Sequence, residues 1–162
     1  LWEESTRVPL VVVPAKSQAA DFGKKGMTCS KPVGLIDLYP TMLEMCGLPA
    51  NKKNEGMSLV PLLRDPSQEW RFAVLTTYAR ENHALRSERH RYLRMEDGTE
   101  EFYDHQTDPN EWTNLAGKKK HAKEIKKFRS ALPKENAPYH PSVRSAPINA
   151  WFKEHFSRNG LK

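Results

Sequence analysis

The residue types able to do chemistry in this sequence stand in two short segments near its middle. His83 and Arg86, within Asn-His-Ala-Leu-Arg, are three residues apart, and the strand patterns on either side predict a turn here. Binding groups often lie on such turns, so an imidazole and a guanidinium in this position are able to hold an anion together. An ordinary surface loop explains the segment equally well, and both interpretations stay open.

The second segment, Asp104-His105-Gln106-Thr107-Asp108, places three candidate metal ligands within five residues. Pro109-Asn110-Glu111 follows directly. Asp108, placed before these residues, is expected to accept hydrogen bonds from the backbone ahead of it and so fix a turn. We therefore favour a structural turn over a metal site.

No catalytic constellation is complete in this sequence. It contains no Gly-rich phosphate loop, no Gly-x-Ser-x-Gly elbow and no His-Glu-x-x-His pair. Cys29 and Cys46 match no zinc spacing and have no reactive signature. They predict either one disulfide bridge or two buried thiols, and the residues alone reveal no reaction.

A basic segment, residues 118–129, holds seven Lys or Arg and one Glu. Its net charge of +6 equals the formal net charge of the whole chain. One interpretation is a binding face for nucleic acid or another polyanion. However, no aromatic residue lies between the lysines, and they cover the polar side of an amphipathic helix. A plain solvated face is the interpretation that we favour.

The elements that position these residues must fit in a chain of 162 residues, about the length of one domain. No apolar run reaches 18 residues, which excludes a transmembrane helix. The mean hydropathy of −0.76 predicts a wide solvated surface. Leu1-Trp2-Glu3-Glu4 leads almost directly into an apolar run without a signal peptide, so we expect the chain to be a piece of a longer protein.

The first predicted part, residues 1–65, consists of a strand, a loop and a helix. Val8–Val13 is a continuous apolar run, which is typical of a strand buried on both faces. Asp37 is a candidate N-cap, and Gly47 stands where a left-handed C-cap is needed, so a helix is predicted between them. A short helical turn is expected at residues 58–63.

The pattern changes to strands beyond Asp65-Pro66. Asp97-Gly98 is a strong hairpin signal, and the flanking segments predict an antiparallel sheet of three or more strands packed by a helix with one apolar stripe. These predicted elements are 72–78, 84–95, 101–104 and the helix at 118–132. Together they form a second part, residues 66–132, and a Pro-rich extended tail, 133–162, follows.

Five motifs follow one another in a specific order along residues 1–132. They are Trp2-Glu3-Glu4-Ser5-Thr6-Arg7-Val8-Pro9-Leu10; Asp37–Glu44 with Gly47-Leu48-Pro49; Glu55–Leu63; Arg91-Tyr92-Leu93 with Glu101–Asp104; and Asp108-Pro109-Asn110-Glu111 with Asn114-Leu115. This order resembles the C-terminal portion of the type I sulfatases, in the alkaline-phosphatase-like superfamily. Within that family it looks most like the iduronate-2-sulfatase-like bacterial branch.

The resemblance implies an α/β to α+β architecture, in which the end of a large α/β domain is followed by a small antiparallel sheet packed by a C-terminal helix. It also implies a parent enzyme that hydrolyses sulfate esters on a sugar or polysaccharide, with Ca²⁺ and with a formylglycine made from the Cys of Cys-x-Pro-Ser-Arg. Cys29 and Cys46 both fail that motif. The family's Asp-His metal pair and sulfate-binding Lys precede the segment matched by Trp2-Glu3, so we expect this chain alone to be inactive, without catalytic residues or metal ligands.

Partners and residue roles follow from the same resemblance. The expected partners are the upstream N-terminal portion of the same protein and a sulfated small molecule or saccharide, with no nucleic acid and no membrane. The family's second subdomain lies over the mouth of the active site, so we expect His83 and Arg86 to contact the non-sulfate part of the substrate. Glu3 or Glu4 is expected to form a buried ion pair with Arg7. A periplasmic or extracellular location agrees with the resemblance, and the sequence leaves the compartment open.

Two alternative functions remain open at this point. The first is a stand-alone module that binds an acidic polymer through the helix at 118–129. The second is a fragment of a phosphonate or phosphodiester hydrolase of the same superfamily, which shares this order of motifs. A buried strand at Val8–Val13 without its sheet neighbours exposes backbone and apolar surface. For the isolated chain we therefore expect poor solubility, strand pairing between copies, or disorder of residues 1–14.

Overall fold

The computed structural model describes residues 1–22 and 25–138. Its helices are α1 (Glu3–Thr6), α2 (Leu38–Met45), α3 (Val60–Arg64) and α4 (Ala122–Ser130), and its strands are β1 (Val74–Tyr78), β2 (Asn82–Arg86), β3 (His90–Arg94) and β4 (Glu100–Asp104). Short 3₁₀ turns cover Lys16–Asp21, Leu35–Asp37 and Lys119–His121. Leu1–Leu132 forms one compact unit. None of the helices in the described ranges is long and apolar enough to cross a membrane.

The four strands form one antiparallel sheet in the order β1-β2-β3-β4, which confirms the predicted meander. The expectation of one long strand over 84–95 is wrong, because the chain reverses between β2 and β3. Ser87 closes this reversal, since its backbone N–H donates to the His90 carbonyl and its Oγ accepts from the His90 N–H. The predicted hairpin at Asp97-Gly98 is confirmed, with Gly98 at a φ of +86°.

Helix α4 packs on one face of the sheet and builds the main core there. Phe128 is fully buried among Leu85, Tyr92 and Phe102, and Ile125 lies in the same cluster. Burying an aliphatic or aromatic side chain of this size stabilises a fold by about 1.5–3 kcal/mol. The predicted helix and its apolar stripe are therefore confirmed, although α4 itself is shorter than the segment 118–132.

The apolar run Val8–Val13 forms no strand in the structure, so that prediction is wrong for this chain. Val11 is 81% exposed and Val13 is 84% exposed. A strand requires a neighbour that takes up its backbone hydrogen bonds, and no other segment within 1–22 and 25–138 pairs with this one. The run is left without regular secondary structure and mostly exposed.

Helix α2 is confirmed together with its left-handed end at Gly47, which has a φ of +66°. Asp37 occupies the N-cap position, but its side chain does not cap α2, contrary to the prediction. Its carboxylate is fully buried and accepts hydrogen bonds from the backbone N–H groups of Gly34 and Met57, at 2.7 and 2.9 Å, and from Arg71 at 2.5 Å. Asp37 thus ties the loops on either side of α2 to the segment that leads into the sheet.

The division of the chain into 1–65, 66–132 and 133–162 stays a prediction. Residues 133–138 contain no helix or strand, and the rest of the predicted tail lies outside the described residues.

Candidate functional site

A cluster of five charged or titratable side chains lies where the beginning of the chain meets the face of the sheet opposite α4. We call it the anchor cluster, and its members are Glu3, Arg86, Arg91, His105 and Glu111. Two guanidinium groups balance two carboxylates in it. Buried charges persist in proteins when they are paired in this way.

Arg91 stands at the centre of the anchor cluster, and its side chain is only 2% exposed. Its Nη1 donates to the Leu1 carbonyl at 2.8 Å, and its Nη2 binds the carboxylate of Glu3. Its Nε lies 2.6 Å from Oε1 of Glu111. That contact is an ion pair and not a hydrogen bond, because the Nε–H does not point at the oxygen. One buried side chain therefore joins the chain's first residues to the turn after β4.

Glu3 bridges two arginines that face each other across neighbouring strands. Arg86 of β2 and Arg91 of β3 are paired in register, and like charges in that position destabilise a sheet. Oε2 of Glu3 accepts from Arg86 Nε at 3.0 Å and also contacts Arg91. Glu3 thus offsets the repulsion between two arginines that the sheet register places side by side.

Glu111 completes the cluster from a turn in which its backbone adopts a φ of +58°. Its side chain is 3% exposed, and its Oε2 accepts the backbone N–H of Glu3 at 2.8 Å. Its Oε1 lies 2.8 Å from Nε2 of His105. A left-handed backbone is uncommon for a glutamate, so the surrounding contacts hold this residue in place.

Both carboxyl groups of the anchor cluster are held in their charged form. Burial by itself would raise the pKa of Glu3, but hydrogen bonds from Arg86 and Arg91 outweigh it and keep the pKa below its ordinary value. Burial also acts to raise the pKa of Glu111, and the contacts with His105, the Glu3 N–H and Arg91 lower it. The carboxylates of Glu3 and Glu111 are consequently ionised at neutral pH.

The anchor cluster also contains the one group of candidate metal ligands found in the described parts of the chain, Glu3, His105 and Glu111, whose ligand atoms lie within 4.8 Å of one another. They do not fit the calcium implied by the family. Calcium takes six to eight oxygen ligands, whereas this group offers two carboxylates and an imidazole. In addition, the guanidinium of Arg91 already contacts both carboxylates.

His83 and Arg86 are not on a turn, contrary to the prediction, because both belong to β2. Side chains three positions apart on a strand point to opposite faces. His83 is 4% exposed and shares the face of Leu85, towards α4, and its Nδ1 lies 2.9 Å from Thr77 Oγ1. Arg86 points to the other face, towards Glu3. The two side chains are therefore not brought together around one anion.

Three further expectations have a clear outcome. Asp104–Asp108 is a turn, as predicted, and the Asp108 carboxylate accepts the backbone N–H groups of residues 112 and 113. The prediction of a buried ion pair between Glu3 or Glu4 and Arg7 is wrong. Glu4 and Arg7 are exposed, and Glu3 pairs with the sheet residues Arg86 and Arg91. Neither thiol alternative holds, because Cys29, in an irregular loop, and Cys46, at the end of α2, are both free and exposed.

The roles of Arg91 and Glu111 were missed by the sequence analysis, although both residues lie in its motifs. They meet Glu3 across 88 and 108 positions of the chain, and no local spacing pairs residues so far apart. The signal available in the sequence was a charged residue beside an apolar one, since Arg91 precedes Tyr92 and Glu111 precedes Trp112.

Comparison with known proteins identifies the family. The model of the N-sulphoglucosamine sulphohydrolase C-terminal region matches residues 1–137. A sulfatase of Formosa agariphila is 38% identical over 156 residues, which cover 96% of this chain and 29% of that protein. An ulvan-active sulfatase of the same organism is 29% identical over 126 residues, covering 72% of this chain and 24% of that protein.

The fold comparison agrees with the sequence comparison. A protein solved in complex with its substrate, D-glucosamine-2-N,6-O-disulfate, matches 58% of this chain and 22% of its own length, with a TM-score of 0.53 and 25% identity. The predicted architecture, the C-terminal part of an alkaline-phosphatase-like sulfatase fold, is confirmed, and the placement in the iduronate-2-sulfatase-like branch stays a prediction. The chain spans less than a third of the sulfatases that it matches. It belongs to the family defined by the C-terminal region of N-sulphoglucosamine sulphohydrolase.

Proposed function

We propose that this chain is the C-terminal part of a sulfatase that hydrolyses sulfate esters on a sugar, and that it braces the segment beginning at Leu1. The observation that carries the proposal is the anchor cluster, in which Arg91 and Glu111 hold the backbone of Leu1 and Glu3. In the sulfatases that the sequence resembles, the metal-binding Asp-His pair and the sulfate-binding Lys directly precede this segment. A brace at this point fixes the position of groups that act on the sulfate.

The substrate class is supported by the relatives. One of them is named for its activity on ulvan, and a structural neighbour was solved with a sulfated glucosamine. Calcium and formylglycine belong to the proposed parent enzyme, where they would neutralise the sulfate oxygens and provide the nucleophile. The groups that supply them lie in other parts of that enzyme, because neither Cys29 nor Cys46 fits the formylglycine motif and the anchor cluster does not fit calcium.

The activity is tested on the complete protein that contains this chain. Release of inorganic sulfate from sulfated monosaccharides and polysaccharides is measured beside hydrolysis of a phosphonate monoester and a phosphodiester. We expect sulfate release to have the higher kcat/KM and to fall after calcium is removed with a chelator. A higher kcat/KM on the phosphonate ester would instead favour the phosphonate hydrolase.

The bracing role is tested by Glu111→Gln, which removes a charge and keeps the shape of the side chain. A small displacement of positioned groups slows catalysis strongly, so we expect kcat on a small sulfate ester to fall about tenfold while KM changes little. Glu88→Gln is the matched control, since Glu88 is half exposed and pairs with Lys31. A variant that loses thermal stability but keeps the wild-type kcat would show that Glu111 supports the fold alone.

Contact of His83 and Arg86 with the non-sulfate part of the substrate remains a proposal for the same enzyme. The burial of His83 and the pairing of Arg86 with Glu3 favour structural roles for both. His83→Ala and Arg86→Ala separate the two possibilities. A substrate contact predicts a raised KM for the sulfated sugar at an unchanged Tm, whereas a structural role predicts a lowered Tm at an unchanged KM.

A further inference from the structure

The outward face of α4 and of the turn before it carries a row of lysines, which we call the lysine strip: Lys119, Lys120, Lys123, Lys126 and Lys127. All five are exposed. Lys123, Lys126 and Lys127 are spaced by three and four residues and share one side of the helix. The buried residues Ile125 and Phe128 occupy the opposite side. The fold therefore fixes the strip towards solvent.

The described part of the chain places no ion-pair partner on the strip. No carboxylate of residues 1–22 or 25–138 lies within 4.0 Å of any of its lysines. Arg129, the next basic residue, is by contrast held by Glu100 at 2.7 and 2.8 Å. Helix geometry makes the strip roughly 12 Å long, at about 1.5 Å per residue, which is longer than a single sugar unit.

We propose that the lysine strip binds the sulfate groups of a polysaccharide, so that the polymer is retained on the enzyme between successive hydrolyses. This inference rests on the proposed function for the identity of the polymer. Lysine ammonium groups are compact point charges, suited to separate sulfate groups along a flexible chain. Proteins that bind single-stranded nucleic acid add exposed aromatic rings that stack on bases. Of the two rings on the buried side of α4, Phe128 is fully buried and Phe72 is partly buried against it, with its ring in contact with Lys127. Neither ring is free to stack on a base, which favours a polyanion without bases.

The test compares two variants of the complete protein that lose the same charge. The strip variant is Lys119→Gln, Lys120→Gln, Lys123→Gln and Lys126→Gln, in which glutamine retains the helix propensity of lysine. Lys127 is kept because its ammonium lies 3.8 Å from the centre of the Phe72 ring. The control variant is Lys16→Gln, Lys25→Gln, Lys52→Gln and Lys53→Gln, four exposed lysines outside α4.

Binding to heparin is measured at several salt concentrations, together with turnover of a sulfated monosaccharide. We expect the strip variant to bind heparin about tenfold more weakly at 0.1 M salt and with a shallower salt dependence. The control should stay within about twofold of wild type, and both variants should keep wild-type turnover of the monosaccharide. Equal losses of heparin affinity in the two variants would overturn the proposal. It would also be overturned if the wild-type protein bound single-stranded DNA as tightly as heparin. If the wild-type protein does not hydrolyse the sulfated monosaccharide, the proposed function is wrong. The comparison of heparin binding between the two variants would still decide the role of the strip.

Discussion

Replacing Arg91 by methionine removes the guanidinium that touches both buried carboxylates of the anchor cluster. Methionine fills much of the same space, so the change acts mainly through charge. Breaking a buried ion pair typically costs about 3–5 kcal/mol, because the remaining charge has lost its partner. Glu3 keeps Arg86, and Glu111 keeps His105, so we expect a loss near the lower end, about 3 kcal/mol. That is a large share of the roughly 5–15 kcal/mol that stabilises a domain.

Arg94→Met is the matched control, three residues along β3. Arg94 is 40% exposed and pairs with Glu100 at 3.5 Å, so its loss should cost at most about 1 kcal/mol. Urea unfolding followed by tryptophan fluorescence gives both free energies, provided that the m-value is unchanged. Adding Glu111→Gln to Arg91→Met should restore part of the stability by removing a buried carboxylate that has lost its arginine. If the two single arginine variants unfold within 1 kcal/mol of each other, the reasoning about the cluster is refuted.

Two further predictions concern the fold outside the cluster. A Cβ at Gly56 would lie 2.1 Å from the Ile36 carbonyl oxygen, so Gly56→Ala should lower the free energy of unfolding by about 3 kcal/mol, whereas Gly117→Ala, with open space around it, should be nearly neutral in the same urea titration. The hydrogen bond from Arg89 lowers the pKa of Asp104 from 3.8 to about 2, so the stabilising ionised form is present above pH 4 and is lost as the pH falls through 2. The difference in Tm between wild type and Asp104→Asn should therefore be largest above pH 4 and shrink towards pH 2, and a difference that grows in acid would contradict this assignment.

The elements with local signals were predictable from the sequence. Gly47 and Gly98 each mark a left-handed position that other residues rarely adopt, and both end or reverse an element where expected. The apolar stripe on α4 was predictable because its apolar residues recur at the spacing of a helical turn. The reversal at Ser87 was missed because the turn contains neither Gly nor Asn, and its closure depends on hydrogen bonds between Ser87 and His90.

The strand predicted at Val8–Val13 failed for a different reason. Apolar composition predicts that a segment will be buried against something, but it does not say that the partner belongs to the same stretch of chain. The anchor cluster was unpredictable for a related reason, since its pairs depend on which strands become neighbours. Only the register of β2 against β3 brings Arg86 opposite Arg91 and makes a bridging carboxylate necessary.

The long reach of the anchor cluster has a consequence for synthesis of the protein on the ribosome. Within this chain Glu3 is synthesised 108 residues before Glu111, whose side chain accepts the Glu3 backbone N–H. At about 5–20 residues per second this delay is roughly 5–20 s. Throughout that interval the exposed valines of residues 8–13 are attached to a segment whose contact with Glu111 has not yet formed. Residues 8–13 therefore offer an apolar stretch to a holding chaperone during synthesis, and slow codons between the two glutamates would lengthen that interval.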